Sequence, residues 1–198
     1  MLTQVRKFVS LKILKLVYNS FIQPHLSYGI ALWGGTSGSG LARLNKLQKK
    51  AIRIITGASR MDHSEPRLKK MGVLRLSDLY KMQVNCLTYD CVKGPCPTFF
   101  NSLFRPKSST SNASTRSQST KPLDIELVNV TSKGPLQKHT FPAKAVQLWN
   151  SLPSSIQNLR SKKKFKSVLK RDILNYYDSN MCRNPLCANV VNCRHVVG

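Results

Sequence analysis

Residues 41–58, LARLNKLQKKAIRIITGA, constrain the fold of this chain more than any other stretch. Set at about 100° per residue, Leu44, Leu47, Ala51, Ile54, Ile55 and Ala58 gather on one side of a helix, and Gly57 supplies its stop. An apolar stripe of that length needs a covering surface, so its neighbours must be amphipathic as well. Arg43, Lys46, Lys50 and Arg53 gather on another side. That second stripe holds no acidic residue to form i,i+4 pairs, so its charges repel one another in an isolated helix. It suits an anionic partner, and it also suits the solvated outer side of an ordinary core helix.

The whole chain carries the same imbalance. Its 198 residues hold 32 Lys and Arg against 8 Asp and Glu, a net charge of +24. Such a chain repels itself and attracts polyanions, which leaves nucleic acid or an acidic membrane surface as partner. Nucleic acid is the expectation, because no basic amphipathic segment combines an exposed Trp/Phe/Leu face with the low core content of a membrane-surface helix. An apolar fraction of 41% is enough for a core. Lys7, Lys12 and Lys15 interrupt the apolar residues near the start, and no run approaches the ~18 apolar residues of a spanning helix. An intracellular chain is therefore expected, without signal peptide, with its six cysteines reduced. On that footing the glycosylation patterns at Asn112 and Asn129 are chance matches.

Along the chain, residues 8–21 read as a helix with Phe8, Leu11, Leu14, Val17, Tyr18 and Phe21 inward, interrupted at Pro24. A second helical piece runs to Trp33, before the glycine-rich turn at 34–40. Ser64, Pro66 and Gly72 bracket a short basic helix. Ser77 caps a helix through Lys93 whose apolar positions cover most of its circumference, which predicts deep burial. Residues 105–122, RPKSSTSNASTRSQSTKP, are nearly free of apolar side chains and read as a disordered linker. Beyond it, residues 125–130 alternate as a strand, and the turn signal at 132–135 predicts a small β-hairpin. A helix follows between Pro142 and Pro153. Then Ser161 caps residues 162–177, with Phe165, Val168, Leu169, Ile173 and Tyr176 inward and Lys162, Lys163, Lys164, Lys166, Lys170 and Arg171 outward. The expected architecture is mainly α: a helical domain at 1–104, a linker at 105–122, a small α+β module with a β-hairpin and basic helices at 123–178, and a cysteine-containing tail at 179–198.

Catalytic chemistry is hard to build from these residues. Two-metal phosphoryl transfer needs adjacent carboxylates, and the eight acidic residues are scattered with no Asp-Asp pair. No glycine-rich phosphate loop ends in Lys-Ser/Thr, and the surroundings of His25, His63, His139 and His195 do not suggest a catalytic triad. An autonomous enzyme is not expected. In the tail, Cys182, Cys187, Cys193 and His195 are the ligand types zinc accepts, but their spacing is poor for a knuckle, and a disordered, unliganded tail fits better. Cys86, Cys91 and Cys96 read as core and loop thiols. Tyr18, Tyr28, Trp33, Trp149, Phe165, Tyr176 and Tyr177 can stack on bases or fill a core, and their helical spacing favours the core. The expected nucleic-acid contacts are the basic side chains of the two stripes, Arg43, Lys46, Lys50 and Arg53 with Lys162, Lys163, Lys164, Lys166, Lys170 and Arg171, acting on phosphates without reading sequence.

Four segments, LKLVYNSFIQPHLSYGIALWGG, LNKLQKKAIRIITGA, LKKMGVLRLSDLYKMQ and LWNSLPSSIQNLRSKKKFKSVLKRDIL, together resemble the C-terminal part of reverse transcriptases of LINE-type, non-LTR retrotransposons of the jockey-like group. The resemblance covers nearly the whole chain in order. It implies that residues up to about 104 are a helical thumb-like bundle gripping the template–primer duplex, and that the remainder is the basic C-terminal extension. It also implies RNA, DNA or their hybrid as partner, together with the palm and fingers of a parent polymerase, in the nucleus or a cytoplasmic ribonucleoprotein. The paired aspartates of the family's palm are not in this sequence, so polymerase activity is not expected of this chain alone. Two rival expectations are a co-opted nuclear interaction protein, with 160–171 as import signal, and a transposon remnant without function.

Overall fold

The computed structural model describes residues 2–35, 39–59, 64–94, 96–97, 100, 103–106, 125–127 and 140–177. Helices α1 (Leu2–Val5) and α2 (Leu11–Val17) lead into a π-helical turn at Tyr18–Ile22, then α3 (Gln23–Ser27) and α4 (Ile30–Trp33). The long α5 (Ser39–Thr56) and the short α6 (Glu65–Met71) precede α7 (Leu76–Lys93). Strands β1 (Phe104–Pro106) and β2 (Ile125–Leu127) are followed by α8 (Phe141–Asn150), α9 (Ser154–Gln157) and α10 (Lys162–Tyr176).

Helix α7 is the axis of the core and packs against α3, α4, α5, α8 and α10. It can do so because it is apolar around most of its circumference, as its sequence predicts; Leu76, Leu79, Tyr80, Met82, Val84, Cys86, Tyr89 and Cys91 are all buried. The boundary expected between an N-terminal domain and a C-terminal module does not part the packing. Tyr89 of α7 lies with its ring centroid 4.8 Å from Phe165 of α10 and 6.5 Å from Trp149 of α8. All three belong with Leu14, Ile52 and Leu68 to one core.

Near the start of the chain the sequence expectation needs correction. Pro24 lacks an N–H, and its ring would meet the carbonyl of Ser20 in a regular helix. Rather than stopping, the chain widens into the π turn, where the Gln23 N–H donates to the Tyr18 carbonyl, and continues as α3. Only Leu14 and Tyr18 of the expected inward set are buried; Phe8 is 85% exposed and Phe21 65%. Gly29, at φ +60°, makes the left-handed turn between α3 and α4. Gly34 then admits the Tyr80 ring, since a Cβ there would stand 2.6 Å from Tyr80 Cδ2 and 2.5 Å from the Ile30 carbonyl oxygen.

The small sheet is antiparallel, with Arg105 opposite Glu126 and Pro106 opposite Ile125. It is not the hairpin expected from the turn signal at 132–135, which lies outside the described residues. The partner of β2 comes from before the linker, and Arg105 and Pro106 belong to it rather than to the linker. On the other edge of β2, where a second hairpin strand would pair, the Asn150 amide takes both backbone groups of Ile125: the Ile125 N–H donates to Asn150 Oδ1 (3.0 Å) and Asn150 Nδ2 donates to the Ile125 carbonyl (2.9 Å).

Candidate nucleic-acid interface

Helix α10 is built as a ridge. Phe165 and Leu169 are buried against α7 and α8, while Lys162, Lys163, Lys164, Lys166, Lys170 and Arg171 are all exposed, as expected from the sequence. Their surroundings differ. Lys162 Nζ forms an ion pair with Asp90 Oδ2 of α7, so part of its charge is answered within the fold. Lys170 is in the opposite situation: partial burial lowers its pKa, and the like charges of Lys15 from α2 and Lys166 lower it further. The like charges of Lys15 and Lys166 thus act on Lys170, a repulsion that a bound anion would relieve. Lys15 is not among the contacts expected from the sequence, because its influence on Lys170 comes from a segment distant in the chain.

The far end of α10 is clamped. Of the two tyrosines that end this segment, Tyr176 was expected inward, but Tyr177 is the buried one and Tyr176 is 46% exposed. The Tyr177 hydroxyl donates to Asp78 Oδ2 (2.6 Å) and accepts from the Arg75 N–H (3.0 Å), while the Arg75 guanidinium sits 5.0 Å over its ring. Burial and the adjacent Asp78 carboxylate push the Tyr177 pKa up, which keeps the hydroxyl a donor. Arg75 also pairs with Asp78 Oδ2 at 3.0 Å and Glu65 Oε1 at 2.7 Å. Burial pulls the Arg75 pKa down, but Asp78, Tyr177 and Glu65 outweigh it, so the pKa rises.

Gln48 of α5 completes the start of α7. Its Oε1 accepts the Leu76 N–H (3.1 Å), and its Nε2 donates to the Leu74 carbonyl (2.9 Å) and the Tyr18 hydroxyl (3.1 Å). Two of the N–H groups that a helix leaves unpaired at its first turn are therefore taken, at Arg75 and Leu76, by side chains distant in sequence. This contact turns α5. Its buried side is Gln48, Ala51, Ile52 and Ile55, with Leu47 62% exposed against expectation. Arg43, Lys46 and Lys50 stand exposed on α5, whereas Arg53 is half-buried and engaged within the fold. Helices α5 and α10 each pack on α7.

Between the α3–α4 turn and α10 lies a cleft of about 350 Å³, walled by Ser27, Gly29, Gln83 and Cys86 on one part and by Asp90, Lys162 and Lys166 on another. Burial raises the Cys86 thiol pKa against the pull of Lys166 and Lys162. Cys91 is buried with its sulfur 3.2 Å from that of Cys96, and burial and that contact push its pKa up to about 12. These three cysteines are core and loop thiols, as their placement in the sequence suggests. Cys182, Cys187, Cys193 and His195 lie outside the described residues. Among the described residues no cluster of three His, Cys, Asp or Glu side chains is placed to hold a metal, and no helix is long and apolar enough to cross a membrane. No family model matches the chain, and no curated protein or solved structure matches it either.

Proposed function

We propose that this chain binds nucleic acid through phosphate contacts along α10, and that it is the thumb-like grip and basic extension of a LINE-type reverse transcriptase whose paired catalytic aspartates are not among these 198 residues. The observation that carries the reading is the row of exposed basic side chains, Lys163, Lys164, Lys166, Lys170 and Arg171, along α10 in a chain of net charge +24. A rigid, like-charged ridge contacts a regular phosphate backbone without reading its bases. Template–primer, RNA or DNA fits that chemistry, and the place of action is the nucleus or a cytoplasmic ribonucleoprotein. On this reading, the exposed apolar side chains Leu16, Phe21 and Leu32 form surface for the palm of the parent enzyme to cover.

The test is a variant with Lys163, Lys164, Lys166 and Lys170 all changed to Gln. These side chains are exposed, so the circular dichroism spectrum should not change. Fluorescence anisotropy with a labelled RNA–DNA hybrid should show affinity lower by about 100-fold near 100 mM salt, and a salt dependence shallower by about 3 to 4 in log–log slope. Unchanged affinity in a folded variant would remove α10 from the interface.

A further inference from the structure

We infer that Cys91 and Cys96 are a redox pair, two thiols that a peroxide oxidises to a reversible disulfide across the exit of α7. Their sulfur atoms stand 3.2 Å apart. A disulfide bond is about 2.05 Å long, so closure needs a movement of only about 1 Å. The turn that returns Cys96 to Cys91 is held by the backbone. The Gly94 N–H donates to the Asp90 carbonyl (2.9 Å), and the Cys96 N–H donates to the Gly94 carbonyl (3.0 Å). A Cβ at Gly94 would stand 3.2 Å from both the Cα and the carbonyl oxygen of Asp90, so glycine lets the chain fold back this tightly. A pair already held together forms its bond without the loss of chain freedom that closing a loop would cost. The inference is independent of the nucleic-acid reading.

The two sulfurs have different roles because their exposure differs. Cys91 is buried, and burial together with the Cys96 contact keeps it protonated. Cys96 is partly exposed, so its sulfur meets the oxidant first. The Cys96 thiolate attacks one peroxide oxygen, the O–O bond breaks, and the hydroxide that leaves takes up a proton as water. The Cys91 sulfur then attacks the Cys96 sulfenic acid: the S–S bond forms, the S–O bond breaks, and the Cys91 proton departs with the hydroxyl as a second water. Together the two sulfurs lose two electrons, which the two peroxide oxygens gain. The ring so formed encloses Lys93, whose ammonium donates to the Gln157 carbonyl and lies 5.8 Å from the centroid of the Tyr89 ring. Oxidation would therefore fix the chain where α7 meets α9.

The experiment treats the reduced full chain with hydrogen peroxide, blocks the remaining thiols with iodoacetamide and maps the tryptic peptides by mass spectrometry. Trypsin cuts after Lys81, Lys93 and Lys107, so Cys91 and Cys96 fall in different peptides, 82–93 and 94–107. The expected result is these two peptides joined with the loss of two hydrogens, Cys86 carrying the alkyl group, and dithiothreitol separating them again. Cys96→Ser should abolish the link and Cys86→Ser should leave it in place. Oxidation in guanidinium chloride should instead scatter Cys96 among the other cysteines, which shows that the fold selects the pair. In the folded chain, Cys96 joined mainly to Cys86 or to a tail cysteine would overturn the inference. Cys91 and Cys96 both recovered alkylated after peroxide, or Cys96 carried on to the sulfinic acid with Cys91 still a thiol, would overturn it too.

Discussion

Replacing Trp149 with alanine is expected to destabilise the protein by about 3–5 kcal/mol, the range for truncating a large buried aromatic. Trp149 is fully buried and packs its ring 6.0 Å from Phe165 and 6.5 Å from Tyr89, so it joins α8, α10 and α7 at one point. Its carbonyl also accepts from Gln157 Nε2 (2.8 Å), which ties α9 to the same place. A domain of this size commonly has about 5–15 kcal/mol in total, so the loss is a large share of it. Urea unfolding followed by circular dichroism should show the midpoint fall steeply for Trp149→Ala and less for Trp149→Phe, which keeps a ring at the site. A loss below about 1 kcal/mol would mean that the three helices do not share one core.

The second large effect is expected at a polar residue. Gln48→Leu keeps the approximate shape but leaves the Leu76 N–H and the Leu74 carbonyl without their partner, and it removes the donor to Tyr18. Burying unpaired groups costs about 1–3 kcal/mol each, so a loss of about 2–5 kcal/mol is expected in the same urea assay. Gln48→Glu separates hydrogen bonding from shape. It retains the acceptor for Leu76 but loses the donor, and it places a carboxylate in a buried site, so it should be no more stable than Gln48→Leu. Near-native stability of Gln48→Leu would show that the start of α7 is held by packing alone.

Gln48 also explains where sequence reading falls short. Helical periodicity places Leu47 inside and Gln48 outside, because apolar residues are ranked inward before any partner is known. The three partners of Gln48 come from elsewhere in the chain, so the true face of α5 becomes visible only once Tyr18, Leu74 and Leu76 surround it. Tyr177 displaces Tyr176 for the same reason, since Asp78 receives its hydroxyl. The elements themselves were legible from local signals: Ser64 precedes α6 and Gly72 follows it at φ +66°, Pro142 lies in the first turn of α8, and Ser161 precedes α10, although neither serine makes a side-chain capping hydrogen bond. The turn expected at 132–135 lies outside the described residues, and the pairing of β2 with β1 was not legible because strand pairing across a long connection leaves no periodic signature.

The candidate site divides along the same line. The exposed basic side of α10 follows from spacing alone, since one helix decides it. That Lys162 is paired with Asp90 depends on a contact between distant segments.

The most direct measurement is the affinity of the wild-type chain for a labelled RNA–DNA hybrid as a function of salt. If binding runs through phosphate contacts of the basic ridge, log K falls linearly with log salt, by about 0.9 per phosphate neutralised, and several contacts together lower the affinity by about a thousandfold between roughly 50 and 200 mM. Binding that holds constant across that range, or no binding at the lowest salt, would contradict the account.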